Sequence, residues 1–403
     1  MRSKRFDVSI IGGGIIGTAT AMALTGGNNI SLVVLEAEDS LATHQTGHNS
    51  GVIHSGLYYR PNSLKALNCV EGRKKLYKFC EIYDIPYEKC GKIVVATSDD
   101  EIPYLEKLYN RGLANGLLGL KKLTGEEIKE YEPYVEGVAG LFVPETGIVD
   151  YAEVARKYAE ISQENGGEIW TGARVTKILM YPGEIVIETT KGALRTRTLI
   201  NCAGLQADRI AKMCGLNPNL RIIPFRGEYC ELVPERRSLV KNLIYPVPDP
   251  GFPFLGVHFT RRIDGRVEAG PNAVLVFKRE GYKKLSFSIR DFSDIVFYKG
   301  FWKLSLKHWR IGMMELVRSF SKRAFVRSLQ KLIPVIATED VRRAGAGVRA
   351  QALEPDGSLV DDFRIVQTSS MIHVLNAPSP AATASISIGQ TIARLAGELF
   401  NFH

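Results

Sequence analysis

Three glycines and one acid carry the strongest chemical signal in this chain. Gly12, Gly14 and Gly17 follow the β-forming run Asp7-Val-Ser-Ile-Ile, and Glu36 closes a second apolar run 19 residues past Gly17. Glycines at this spacing let a backbone turn tightly and come close to a pyrophosphate. A helix opening near Ile15 would present its positive end to that anion, and a carboxylate at position 36 can accept hydrogen bonds from ribose hydroxyls. The chemistry needs a strand before the glycines, a helix after them and a strand ending at the acid. All three are legible, so the segment reads as a βαβ dinucleotide-binding unit. The uncharged stretch from Val8 to Leu35, preceded by Arg2, Lys4 and Arg5, also has the look of a targeting or spanning segment. A span needs about 20 mainly apolar residues, and the break at Gly26-Gly-Asn-Asn29 comes too soon. The buried first strand of a cytoplasmic domain is the expectation.

With 403 residues and 45% hydrophobic content, the chain can bury a large core, as two domains or one large α/β unit. The cysteines at 69, 80, 90, 202, 214 and 230 show neither CxxC spacing nor paired histidine ligands. Neither a metal site nor a disulfide framework is expected, and small buried thiols in a reducing compartment are the plain reading.

Dinucleotide binding alone leaves NAD and FAD open. Thr198-Leu-Ile-Asn-Cys-Ala-Gly204, with Asp208 and Ile210 beginning a helix, resembles the second nucleotide-contacting element of FAD-binding oxidoreductases. Ile372-His-Val-Leu-Asn-Ala-Pro-Ser-Pro-Ala-Ala382 resembles the third, breaking at prolines into a helix over 383–400 whose first N–H groups would face the ligand. Several motifs are more specific: Thr46-Gly-His-Asn-Ser-Gly-Val-Ile-His-Ser-Gly56, Leu57-Tyr-Tyr-Arg-Pro61, Pro224-Phe-Arg-Gly-Glu228, Gly347-Val-Arg-Ala-Gln351 and Asn376-Ala-Pro-Ser-Pro380. Together they resemble the L-2-hydroxyglutarate oxidase/dehydrogenase family of the D-amino acid oxidase-like FAD enzymes, over essentially the whole chain.

That resemblance implies an α/β, two-domain FAD-binding oxidoreductase with a Rossmann-like nucleotide domain and an antiparallel-sheet substrate domain. It implies oxidation of L-2-hydroxyglutarate, a small dicarboxylate, to 2-oxoglutarate by hydride transfer to FAD. Interleaving the motifs assigns 1–75, 145–220 and 335–403 to the FAD-binding domain and 76–144 and 221–334 to the substrate domain. Strands of the latter are expected at 92–96, 229–233 and 255–260, which are rich in β-formers. The implied FAD contacts are Gly12, Gly14, Ile15, Gly17, Glu36, Asn49, Ser50, Gly51, Val175, Ala203, Gly204, Gly227, Pro380, Ala381, Ala382 and Thr383. No Cys or His occupies 376–382, so noncovalent FAD is expected, with His44 and His48 the positions that would permit a covalent link.

The implied reaction needs a base, for which His54 is the first candidate and His258 the second, since a neutral imidazole is competent near pH 7. It also needs cations for two carboxylates. Arg60, Arg226 and Arg349 sit in the family motifs, and a planar guanidinium grips a carboxylate bidentately. At least one of these arginines is expected to tie loops together instead. Tyr58 and Tyr59 could orient the substrate, and Lys65 is expected to face water. Two alternatives stand beside this reading. One is FAD-dependent oxidation of another small anion, such as glycerol 3-phosphate or an amino acid, and the other is a flavin-bearing membrane or RNA partner protein.

Charge supplies a separate signal. Residues 277–331 hold 14 Lys/Arg and 4 Asp/Glu, a net charge of +10 in a chain whose total is +9. Within them Trp302, Leu306, Trp309, Met313, Leu316, Phe320 and Ala324 recur at helical steps, with Lys303, Lys307, Arg310, Arg318 and Lys322 off that stripe. A basic, Trp-bearing amphipathic helix suits an anionic membrane surface, where reduced flavin could pass electrons to quinone. A core helix with a solvated basic face is the competing expectation. No specific nucleic-acid partner is expected, because no binding motif accompanies the charge.

Overall fold

Strand Arg5–Ile11 enters the glycine turn, helix Ile15–Thr25 follows, and strand Leu32–Leu35 returns parallel to the first, with Ile11 opposite Leu35. The computed structural model describes residues 4–27, 29–248 and 256–400. Arg2 and Asn28, used above to weigh a targeting segment, lie outside the described residues. Gly17 is required by close approach: a Cβ there would sit 1.9 Å from the Gly12 carbonyl oxygen. The small residues of this helix thus let it lie directly on the turn.

Strand Gly192–Asn201 runs parallel to the first strand on its other side, and Met371–Asn376 continues the parallel order at Leu199–Asn201. The antiparallel pair Val175–Tyr181 and Glu184–Thr189 extends this eight-stranded sheet at one edge. Its central strands are buried on both faces and therefore read as continuous apolar runs. The final helix, Ser385–Phe400, packs on the same core.

The second sheet has nine strands and is mainly antiparallel. Lys92–Ala96 lies where expected, and 229–233 falls at the end of a longer strand, Arg221–Leu232. The strand expected at 255–260 is found at His258–Arg261, and Leu255 lies outside the described residues. One assignment is corrected. Strand Val341–Leu353 pairs along Arg221–Leu232, from Arg221 opposite Leu353 to Leu232 opposite Val341. Residues 341–353 therefore belong to the antiparallel sheet and not with the nucleotide elements of 335–403, because sheet pairing binds a strand to its partner whatever its sequence neighbours do.

The basic segment also departs from the single helix expected. Helix Lys299–Phe320 is interrupted at His308, whose φ/ψ of −121°/19° are non-helical. It ends before Ser321, which caps helix Lys322–Leu329 by accepting a hydrogen bond from the Ala324 N–H. Ala324 is thus on a different helix from the rest of the stripe. The long helix touches the sheet through Gly300, Glu315 and Ser319, a small and polar face. Its apolar stripe points outward, with Leu306 75%, Trp309 60% and Phe320 69% exposed. All four acids of the segment are already engaged by neighbouring groups. Asp291 and Asp294 pair with Arg209, Glu315 holds Arg318 and the Ala273 N–H, and Glu280 accepts from Gln206. The outer surface is left with the cations.

Candidate active site

One cavity of about 920 Å³ runs between the two sheets, from the glycine turn to the histidines. Its nucleotide end is built by the βαβ unit. Gly12, Gly14, Ile15 and Glu36 line it, joined by Val175, Ala203 and Gly204 from the neighbouring strand ends. The Gly13 and Glu38 N–H groups each donate to the Glu36 carboxylate at 2.8 Å, which holds the acid against the turn. A helix N-terminus, a turn without side chains and a fixed acid on one cavity fit the ADP half of a dinucleotide. Farther along, Asn49, Ser50, Gly227 and the loop from Pro380 to Thr383 line the walls. The Thr383 hydroxyl is already engaged internally, with the Tyr151 hydroxyl at 2.8 Å and the His54 N–H at 3.1 Å.

Four expected contacts lie outside the cavity lining. Gly17 serves helix packing, as above, and Gly51 makes a turn at φ +69° against the Val149 carbonyl. Arg60 is exposed, in the turn preceding the helix that Ser63 caps. Arg226 is buried on the wrong face. Strand side chains alternate, so Gly227 and Tyr229 face the cavity while Arg226 and Glu228 face away. There Arg226 donates to Glu228 at 2.8 Å and to the Lys283 carbonyl at 2.9 Å. Arg349 is opposite Phe225 in the register and does line the cavity, so of the three arginines only this one is placed to meet a ligand there. Lys65, expected to face water, is half-buried, lines the cavity and has its ammonium 6.0 Å from the Tyr59 ring centre.

The inner end brings His54, Tyr58, Tyr59, Tyr245, His258 and Arg349 together. His258 stacks on Tyr245 with ring centres 3.9 Å apart, and its Nδ1–H donates to the Gly256 carbonyl at 2.8 Å. That bond fixes the tautomer and leaves Nε2 as an acceptor. Burial, reinforced by nearby cations, pushes the pKa of both His54 and His258 down to about 3, so both are neutral at ordinary pH. The buried Tyr58 hydroxyl has no hydrogen-bond partner among the described residues. Behind Tyr58 and Tyr245 lies Lys92, 1% exposed, which sequence reasoning passed over as the polar start of a strand. Tyr245 and Tyr229 were also missed, each being one aromatic in an ordinary strand pattern.

The described cysteines are free, and all but the half-buried Cys90 are buried. Glu38, His44 and Glu280 converge near the nucleotide end, but Arg174 already pairs with both carboxylates, at 2.6 and 3.9 Å.

Residues 7–395 match the FAD dependent oxidoreductase family. The chain is similar to L-2-hydroxyglutarate dehydrogenase of Indibacter alkaliphilus, 54% identical over 98% of this chain and all of that one. It is also similar to the mitochondrial L-2-hydroxyglutarate dehydrogenase of Homo sapiens, 49% identical over 97% of this chain and 88% of that one. Among solved structures, L-alpha-glycerophosphate oxidase from Mycoplasma pneumoniae, with FAD bound, shares the fold at a TM-score of 0.80 and 23% identity, covering 99% of this chain and 96% of that one. Glycine oxidase from Geobacillus kaustophilus does so at 0.73 and 17% identity, covering 99% and 95%.

Proposed function

Because the chain belongs to the L-2-hydroxyglutarate dehydrogenase family of FAD dependent oxidoreductases and takes FAD as its cofactor, we propose that it oxidises L-2-hydroxyglutarate to 2-oxoglutarate. What supports the reading most is the inner end of the cavity, where neutral imidazoles meet Arg349 and Lys65, both half-buried. FAD held along Gly12, Gly14, Glu36 and the loop from Pro380 to Thr383 would supply a two-electron acceptor for the C2 hydride. Arg349 grips one carboxylate, Lys65 offers a charge for the other, and the unpaired Tyr58 hydroxyl donates to substrate oxygen. His258 Nε2 receives the hydroxyl proton as the C2 carbonyl forms, with His54 the alternative acceptor. A dianion beside Arg349 and Lys92 offsets the cations that depress the imidazoles, so substrate itself raises their basicity. FAD is held noncovalently. His44 is engaged by Tyr282 and Glu38, and the His48 ring packs on Tyr282 at 4.3 Å.

Electrons then pass to quinone at an anionic bilayer on which helix Lys299–Phe320 lies. The support is its outward apolar stripe flanked by exposed Lys303, Lys307 and Arg310. Among the described residues no helix is long and apolar enough to cross a membrane. Anaerobic mixing with a panel of substrates tests the reaction. L-2-hydroxyglutarate should bleach the flavin much faster than L-lactate, the D enantiomer, glycerol 3-phosphate or glycine. Equal bleaching by lactate would overturn the two-carboxylate pocket.

A further inference from the structure

Lys92 occupies a position that folding alone does not reward. It is 1% exposed on strand Lys92–Ala96, and its ammonium lies 4.3 Å from the Tyr58 ring centre and 5.1 Å from that of Tyr245. Both rings line the cavity, so the charge sits one aromatic layer behind the wall. Buried lysines are ordinarily paired with an acid. No ion pair with a carboxylate includes Lys92 among the described residues, and burial pushes its pKa down to about 7 with only the Cys69 thiol acting in the other direction.

Among the described residues, the titratable groups near it come from several elements. Cys69 and, behind it, Arg73 lie on helix Leu64–Ile82, His54 and Tyr58 precede that helix, Tyr245 and His258 come from adjacent strands, and Arg349 stands across the cavity. Strand Ala139–Val143, paired beside Lys92, carries no titratable side chain. Arg73 is balanced by Glu145 at 2.7 Å, and among the described residues no carboxylate pairs with Lys92.

We propose that Lys92 is a positioning residue for a dianionic ligand: sealed behind Tyr58 and Tyr245 and paired with no acid among the described residues, its amine becomes an ammonium when a dicarboxylate enters the cavity. The proton comes from solvent, and no bond to substrate forms. This deepens the substrate reading above and rests on it. Through the rings the ammonium attracts the substrate's charge, and it holds the hydroxyls of Tyr58 and Tyr245 on the ligand side. A monocarboxylate, already met by Arg349, calls for less of this charge.

The consequence is a pH-dependent proton count. Binding of glutarate, which lacks the reactive hydroxyl, to the FAD-loaded enzyme should take up close to one proton at pH 8 and little at pH 6, where Lys92 is already charged. Calorimetry in two buffers of different ionisation heat reads that number directly. His54 and His258 would take up protons only toward the acid end, and the thiol of Cys69, pushed up to about 12, is silent. Lys92→Met should abolish the uptake at pH 8, weaken glutarate tenfold or more and raise the melting temperature at pH 6, where an unpaired buried charge is removed. Lys92→Arg should bind without uptake and with affinity independent of pH from 6 to 9.

Uptake at pH 8 that vanishes in Lys92→Met supports the assignment. Glutarate binding with no uptake, or uptake that survives in Lys92→Met, overturns it while leaving the substrate reading intact if L-2-hydroxyglutarate still bleaches the flavin. Failure of both glutarate binding and bleaching overturns both.

Discussion

Replacing Arg349 and Arg226 one at a time separates a ligand contact from a structural tie between two arginines that are close in the fold. Arg349 lines the cavity, where its guanidinium can meet a carboxylate with two parallel N–H bonds. Hydrogen bonds to a charged group contribute about 1.5–3 kcal/mol each. Non-additivity and residual solvation reduce the pair to about 3 kcal/mol, on the order of a hundredfold in kcat/KM at 1.4 kcal/mol per decade. Arg349→Met should lose that much in anaerobic stopped-flow reduction of the flavin by L-2-hydroxyglutarate. Arg349→Lys, which keeps the charge and loses the fork, should lose about tenfold. Arg226→Met removes bonds to Glu228 and to the Lys283 carbonyl on the far face of the strand. Breaking a buried pair typically costs about 3–5 kcal/mol, and the low end applies because Glu228 retains Ser319, Asn272 and Lys284. The expected signature is a lower denaturation midpoint with flavin reduction nearly unchanged. A hundredfold loss in Arg226→Met at unaltered stability, with Arg349→Met active, would show that the strand faces have been assigned the wrong way round.

Gly17→Ala should expel FAD or unfold the nucleotide domain, because the added carbon meets the Gly12 carbonyl oxygen at 1.9 Å, and flavin absorbance after gel filtration reports it. His258 and His373 are buried, with pKa values pushed down by burial to about 3 and about 4. Below the unfolded value near 6.5 the unfolded chain binds protons that the folded chain does not. Stability should therefore fall as pH drops from about 6.5 toward 4, by about 2 kcal/mol per histidine at pH 5, read from denaturant midpoints. Substituting Gln for Lys303, Lys307 and Arg310 together should weaken binding to phosphatidylglycerol vesicles by about 3 kcal/mol, at about 1 kcal/mol per cation near an anionic surface. Reduction of the flavin by substrate should be unaffected, and a wild type that ignores such vesicles at low salt would remove the membrane reading. Acid precipitation should leave the yellow colour in solution, whereas flavin retained in the pellet would mean a covalent link.

The βαβ unit was legible because its determinants are local: the glycine turn, the helix that begins at Ile15 and the acid at 36 are set by spacing along one short stretch. The family motifs likewise announced the loops that meet at the cavity. The face of a strand was not legible. Arg226 and Arg349 look equally suitable in sequence, and only the pairing of Arg221–Leu232 with Val341–Leu353 puts one toward the cavity and the other behind it. The same holds for the basic segment. Its helical stripe was visible as a pattern of residue types, but a stripe suits an interior and a bilayer equally. That the stripe faces outward was decided by Gly300, Glu315 and Ser319, whose contacts turn the opposite face inward. Lys92 is the extreme case. In sequence it is only the first residue of an expected strand, and what makes it chemically unusual is that no carboxylate among the described residues pairs with it. That absence is produced by residues from six separate elements, and only tertiary packing brings them to one place.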